Sequence, residues 1–515
     1  MNRVKSIGVE ILFTVSFMFL SFYSILPEDY KNVGIVGVTI VVAGICGFWF
    51  IHKQGKEVSE YANKHKTLAV FMIIYAVHYM FLLYQQKYAE SAEHFFFTWP
   101  IFRVGCYMIG GFAIWFVGLA VVDKCICWIK DLFSQLTETD KKEYGLFSLV
   151  FTTILIVFYV YTSGWYLQYD MVYSMDSGYC YNHIMASAAY YDIRHPFLSV
   201  ITFPVFVFIK MIGNIIVPIH MIKPFDALAF GIINIQLLLL TGLQLKVLSG
   251  HRHMFRIYIL SFSTLIYMFM FEKYPVCVFL LVLYLYSICK KERTRADKGL
   301  LLGVGTMPTS AVLGAVELFE HNTMKEKACY IFKIILSFLA MLICFGRAHV
   351  LWYGISELTT TKQRFGDITF PLQKRIYAVF DMIQGSFIAQ GSELTDTYWW
   401  ISIGEKIPIV GVVLLIVICL GIYEGWKEKY IKICTLWLLF AFVLFVALRW
   451  SPHESPLFSI YFSWALIPLA LSGTDGLIEE FKWNEKYVYG GIVVIMAIIN
   501  GMTILDINRF LKFFY

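Results

Sequence analysis

Between Trp165 and Pro196 the chain reads WYLQYDMVYSMDSGYCYNHIMASAAYYDIRHP. Three aspartates (Asp170, Asp176, Asp192), Arg194 and His195 stand there between long apolar runs. Carboxylates beside a bilayer cost free energy, so a segment holding several of them is a candidate site. Asp176 sits in YSMDSGY, just where an apolar run ends. A carboxylate there suits a general base that takes the proton from an attacking hydroxyl. The plainer alternative is a turn built with Ser177 and Gly178. Sixteen residues on comes YYDIRHP, with Asp192, Arg194 and His195 inside four positions. A carboxylate, a guanidinium and an imidazole so close can hold a metal, a phosphate or a set of sugar hydroxyls. The planar fork of Arg194 suits two oxygens of one phosphate, while a simple Asp192–Arg194 surface pair is the alternative. Pro196 then opens an apolar helix, a natural place for proline.

Further candidates lie far along the chain. His453 and Glu454 fall in SPHESP, a tight turn flanked by prolines. Glu454 could stand near a sugar or a metal and His453 near phosphate; turn polarity alone is the other reading. Arg347, Arg364, Lys374 and Arg375 could neutralise a departing phosphate, or simply meet anionic headgroups. Most tyrosines of the 165–196 segment belong to the aromatic belt at a bilayer interface, leaving one or two to stack on a sugar ring. Glu272-Lys273 in FEKYP reads as a short turn, and His251-Arg252-His253 as orientation charge.

The elements that must position these residues are membrane helices. The 515 residues are 59% hydrophobic and only 15% charged, with a mean hydropathy of +0.68, whereas a soluble domain carries about 25% charged residues. Apolar runs near 7–26, 33–51, 67–84, 98–122, 146–163, 226–247, 256–270, 275–289, 329–345, 407–424, 433–449, 457–472 and 488–505 predict about 13 spans of a roughly 30 Å hydrocarbon core. The N-terminal run has the look of a signal sequence without small residues for cleavage, and is expected to stay as the first span. Two further apolar stretches, 197–220 and 299–316, contain Pro204, Pro218, Gly303, Gly305 and Pro308. They are expected not to cross: the first as a juxtamembrane helix, the second as a re-entrant or surface element.

Lys and Arg then sort by loop. With the N-terminus in the cytoplasm, the inner loops hold Lys124, Lys130, Arg252, Lys290, Lys291, Arg293, Lys427 and Lys429, among others. Three polar segments fall together on the outer face: 164–225 with the aspartates, the long aromatic loop 346–406, and the turn 450–456. One membrane face holding all three is what a composite site requires. A net charge of +6 spread over loops lacks the contiguous basic face that nucleic acid needs. The eleven cysteines show neither paired zinc spacing nor a disulfide framework, and no fixed-period repeat is present.

On these residues the chain resembles the GT-C superfamily of integral-membrane glycosyltransferases, in a bacterial branch. The likeness runs from about residue 146 onward. It rests on Asp176 after a span, on Asp192-Ile193-Arg194-His195-Pro196, and on His453-Glu454 with the aromatic run to Trp464. It implies an all-α polytopic GT-C-like fold with outer juxtamembrane helices in the first loop. Residues 146–515 would form the catalytic domain. Residues 1–145 would form a four-helix segment serving as an accessory bundle, a partner surface or a lipid entry wall. The implied reaction moves a sugar from a polyprenyl-phosphate carrier to a glycan, lipid or polymer acceptor of the cell envelope, with inversion, on the extracytoplasmic side. Asp176 would be the base and Asp192 would orient the acceptor. Arg194, His195, Arg347, Arg364 and Arg375 would receive the phosphate. A divalent cation, Mg or Mn, would sit on Asp192 and Glu454. Membrane lipids are the surroundings and nucleic acid is not a partner. Two other classes stay open: a polysaccharide polymerase or ligase, and a lipid-linked oligosaccharide transporter.

Overall fold

Runs of this length, with no water to satisfy their backbone, must fold as helices. The computed structural model describes residues 2–25, 32–90, 100–162, 180, 195–218, 221–316, 323–351, 353–354, 371–390, 393–394, 399–400, 408–450 and 458–514. The first five helices are α1 (Asn2–Ser24), α2 (Val33–Lys64), α3 (Lys66–Glu90), α4 (Pro100–Gly105) and, after a π turn, α5 (Gly111–Ser134). Then come α6 (Glu138–Tyr161), α7 (Leu198–Ile216), α8 (Ile222–Ser249), α9 (Met254–Leu260), α10 (Phe262–Phe269), α11 (Tyr274–Cys289) and α12 (Arg293–Thr306). The last six are α13 (Met324–Cys344), α14 (Leu372–Gly385), α15 (Ile409–Gly425), α16 (Lys429–Phe442), α17 (Ser459–Phe481) and α18 (Glu485–Phe514). A pair of two-residue strands, β1 (Glu393–Leu394) and β2 (Trp399–Trp400), is antiparallel. Among the described residues ten helices are long and apolar enough to cross a membrane, and α11 and α15 are shorter apolar ones. The protein is an α-helical polytopic membrane protein.

Local departures from the expected runs have physical causes. The run 256–270 is two helices, because Ser261 takes an extended conformation (φ −64°, ψ 144°). The 299–316 stretch is interrupted as expected: α12 ends at Thr306 and a 3₁₀ turn covers Pro308–Gly314. Residues 197–220 behave differently. α7 continues through Pro204 and packs lengthwise and antiparallel on α3, with Tyr79 against Phe203 and Phe71 against Phe208. The Tyr75 hydroxyl donates to the Pro204 carbonyl at 2.9 Å, and α7 meets the length and hydropathy of a span.

Contacts divide the chain into two compact units: Met1–Ser134, Asn182–Asp226 and Lys325–Glu357; and Gln135–Tyr181, Ala227–Met324 and Leu358–Tyr515. In the first, Phe13 of α1 packs on Phe50 of α2 and Phe116 of α5, and Trp115 donates its indole N–H to the Ala69 carbonyl at 2.9 Å. Gly346, in the left-handed region (φ +68°), lies so close to the Ser24 carbonyl that a Cβ would come within 2.2 Å. That seats the end of α13 on the end of α1.

In the second unit the helices alternate in direction. Antiparallel α6 and α8 are registered by an Asp140–Lys246 ion pair, a bond from Tyr144 to Gln236 and one from Gln236 to Ser148, each 2.8 Å. At one end Gln135 donates to Tyr286 (2.8 Å) and the Lys429 ammonium to the Ile288 carbonyl (3.4 Å). At that end too, His251 meets Asp475 (3.3 Å) and His253 faces Glu485 (3.7 Å). This basic end gathers Lys141, Arg252, Lys290, Lys291, Lys427 and Lys482 in its connections. At the opposite, far end the Lys512 ammonium lies over the Tyr161 ring at 3.8 Å, Tyr274 packs on Tyr461 at 5.0 Å and Phe445 on Phe458 at 6.2 Å. α6 therefore leaves, and α8 re-enters, at the same end of this unit.

The seam between α15 and α17 is a backbone contact. A Cβ on Gly421 would stand 1.8 Å from the Leu469 carbonyl, and one on Gly473 1.9 Å from that of Val417. Small residues let membrane helices approach this closely.

Candidate functional site

Among the described residues of the second unit, α11 and α15 are apolar helices shorter than a membrane thickness. α11 has 16 residues, about 24 Å at 1.5 Å per residue, against a core of roughly 30 Å. The turn before it lies at its far end. That turn carries Glu272 and Lys273, which are 0% and 4% exposed. A buried carboxylate is tolerated only with hydrogen-bond partners. Glu272 has them: the Cys180 thiol donates to Oε2 at 3.3 Å and the Lys273 backbone N–H at 3.2 Å. The Asn234 amide donates to the Glu272 carbonyl at 3.0 Å. Cys180 lies in the aspartate-bearing segment, four residues beyond Asp176, and is itself wholly buried. One residue of the segment singled out by its aspartates thus contacts a carboxylate that was read as a mere turn.

An aromatic wall stands beside it. Tyr267 meets Tyr274 edge-on at 5.2 Å, and Tyr274 meets Tyr461 edge-on at 5.0 Å. The Lys273 ammonium lies 5.6 Å from the Tyr274 ring. Tyr461 opens α17, directly after the segment that contains His453 and Glu454. On the same side Arg375, in the first turn of α14, donates to the Val446 carbonyl ahead of that segment. Cys180, Arg375 and Tyr461 accordingly stand at the far end of the second unit.

Arg347 belongs to the first unit. It is buried (2% exposed) and donates to the Ser199 hydroxyl at 3.0 Å. His195, half-buried, is four residues before that serine, and its carbonyl accepts from the Leu198 N–H at 3.0 Å. Two predicted phosphate ligands are thereby brought to the start of α7. Arg375, in the second unit, spends one guanidinium N–H on a carbonyl. Asp176, Asp192, Arg194, Arg364, His453 and Glu454 lie outside the described residues. Among the described residues no cluster of His, Cys, Asp and Glu could hold a metal ion.

The chain matches no family model, no curated protein and no solved structure.

A second polar group lies in the interior of the same unit. α14 enters from the far end and stops at Gly385, beside the break between α9 and α10. Asn500 joins the two: its amide donates to the carbonyls of Leu260 and Phe387, each at 2.8 Å, and its oxygen accepts from the Ala389 N–H at 2.8 Å. Nearby Asp381 is buried (6% exposed) and accepts from Gln390 at 3.3 Å. Sequence reading missed Glu272, Lys273 and Asp381. The available signal for the first two was a charged pair set between two apolar runs in FEKYP.

Proposed function

We propose that the protein is a glycosyltransferase of the GT-C type, with about 13 membrane crossings. It takes its sugar from a polyprenyl-phosphate carrier and transfers it on the extracytoplasmic side. What supports this reading is that Cys180 of the aspartate-bearing segment, Arg375 and Tyr461 stand at one end of the second unit, beside the buried Glu272 and its tyrosine wall. The opposite end is rich in Lys and Arg, which under the positive-inside rule makes it cytoplasmic and the site external. Nucleotide sugars stay in the cytoplasm, so an external site needs a donor delivered by the membrane.

In this reaction Asp176 takes the proton of the acceptor hydroxyl, whose oxygen attacks the anomeric carbon. The bond from that carbon to the phosphate oxygen breaks, configuration inverts, and polyprenyl phosphate departs with the bonding pair. Asp192 orients the acceptor. Arg194, His195, Arg347, Arg364 and Arg375 supply positive charge to the leaving phosphate. A divalent cation, Mg or Mn, would be taken by the oxygen ligands of Asp192 and Glu454 and would neutralise the same charge. Glu272 acts through Cys180 as a positioning residue for the aspartate segment.

Asp176→Asn and Asp192→Asn, made separately and assayed for sugar transfer from a polyprenyl-phosphate donor, test this. Loss of a general base costs about 10²–10⁴-fold; full transfer by both variants would end the proposal. The interior break joined by Asn500, with Asp381 beside it, favours a second reading as a lipid-linked oligosaccharide transporter, because interrupted helices and buried ionisable groups mark substrate paths. Under that reading Asp381→Asn abolishes movement of a labelled lipid-linked glycan in vesicles while Asp176→Asn leaves it intact.

A further inference from the structure

At the basic end of the second unit lies a cleft of about 560 Å³ between the start of α6, the end of α8 and the ends of α9 and α11. Its ionic lining is Lys246, Arg252, Arg256 and Lys290 against Asp140 and Glu143. Two of these cations are committed: Lys246 pairs with Asp140 and Arg256 forks onto Glu143. Arg252 and Lys290 are exposed at the rim, and neither has a carboxylate partner among the described residues. The lining therefore carries two positive charges in excess. The neutral side chains of Gln135, Thr137 and Thr139 complete its polar lining. The capping box, in which Thr137 and Asp140 satisfy one another, already closes the N-terminus of α6, so the excess charge comes from side chains and not from a helix dipole.

We propose that this cleft binds a phosphate-bearing dianion, with Arg252 and Lys290 as its clamps and the Lys246–Asp140 and Arg256–Glu143 pairs as its rigid floor. An anionic lipid headgroup and a free phosphate compound share that chemistry. The cleft sits at the level of the first turn of a membrane-length helix, where either source can reach it. The site is separate from the far-end segments and does not depend on the proposed transfer reaction.

The test uses the full chain, purified in detergent or in nanodiscs. One arm titrates inorganic pyrophosphate by calorimetry. The other measures, by native mass spectrometry, retention of phosphatidylglycerol over phosphatidylcholine. Each is repeated with R252Q/K290Q and with K482Q/K486Q, which removes the same charge from the same end outside the cleft. Pyrophosphate binding identifies a soluble ligand, and selective lipid retention identifies a headgroup. In whichever arm binds, R252Q/K290Q should weaken binding about tenfold or more, and added salt should weaken it further. Binding in neither arm, or an equal loss in K482Q/K486Q, overturns the proposal. Both rim residues are exposed, so an unchanged Tm of the unliganded variant shows that its fold is kept.

Discussion

Glu272 illustrates how much a single side chain depends on its surroundings. Its carboxylate is fully buried, and the thiol of Cys180 is one of its donors. Glu272→Ala should release the aspartate segment, which maleimide labelling reads directly: Cys180 should react slowly in the parent and at least several-fold faster in the variant. Unchanged labelling would mean that the segment is held elsewhere. Glu272→Gln keeps the shape and loses the charge, and should leave Cys180 protected while lowering sugar transfer. At the basic end, His253 is stacked on Tyr489 at 4.7 Å. Burial, with His251, Arg256 and Arg252 nearby, pushes its imidazole below the ordinary value of 6.5, and Glu485 opposes this only in part. The folded state thus resists protonating His253. Stability is full above pH 6.5 and falls as acid drives that proton on. Asp475 has the same sign: burial raises its carboxyl, but bonds from His251 and Tyr489 outweigh that and hold it below its ordinary 3.8, so its share is lost only at still lower pH. Tm in detergent should therefore drop between pH 7 and 5, and His253→Gln should flatten that drop.

Among the elements, the interrupted ones carry the most information. The breaks at Ser261 and after Gly385 leave backbone groups inside the protein that need partners. Asn500, on α18 and wholly buried, supplies three bonds to them. Asn500→Leu strands two carbonyls and one N–H and should destabilise by on the order of 3 kcal/mol, visible as a lower Tm. Asn500→Gln should not restore the parent value, because the longer side chain cannot occupy the same space. The α15–α17 seam makes a parallel case. Gly421→Leu would drive a side chain into the Leu469 carbonyl, a forced repacking that costs about 1–3 kcal/mol or more, and should lower both yield and Tm. The same change at Gly490, which has nothing within 4 Å of its Cβ position, should be neutral.

At the scale of the molecule, the two ends of the second unit differ. Arg252, Lys290, Lys291, Lys427 and Lys482 gather in the connections beside Thr137, while Tyr161, the buried Glu272, Tyr274 and Tyr461 stand at the far end. A cysteine placed at Lys291 and one placed at Tyr161 should therefore label from opposite sides of a sealed vesicle. Labelling of both from one side would remove the orientation on which the transfer reaction rests.

Length, hydropathy and Lys/Arg placement were enough to determine an α-helical polytopic protein and most of its helices, because a bilayer leaves the backbone few options. The interruption of 299–316 was legible in its glycines and proline. The continuity of α7 through Pro204 was not legible, since it depends on Tyr75 and the face of α3. The pairing of Cys180 with Glu272 and of Asn500 with two distant breaks, and the meeting of Arg252 and Lys290 in one cleft, join residues tens to hundreds of positions apart. Hydropathy is local and additive along the chain, so the sequence could say which segments enter the membrane. Which side chains meet there is set by helix packing, and only the tertiary structure decided it.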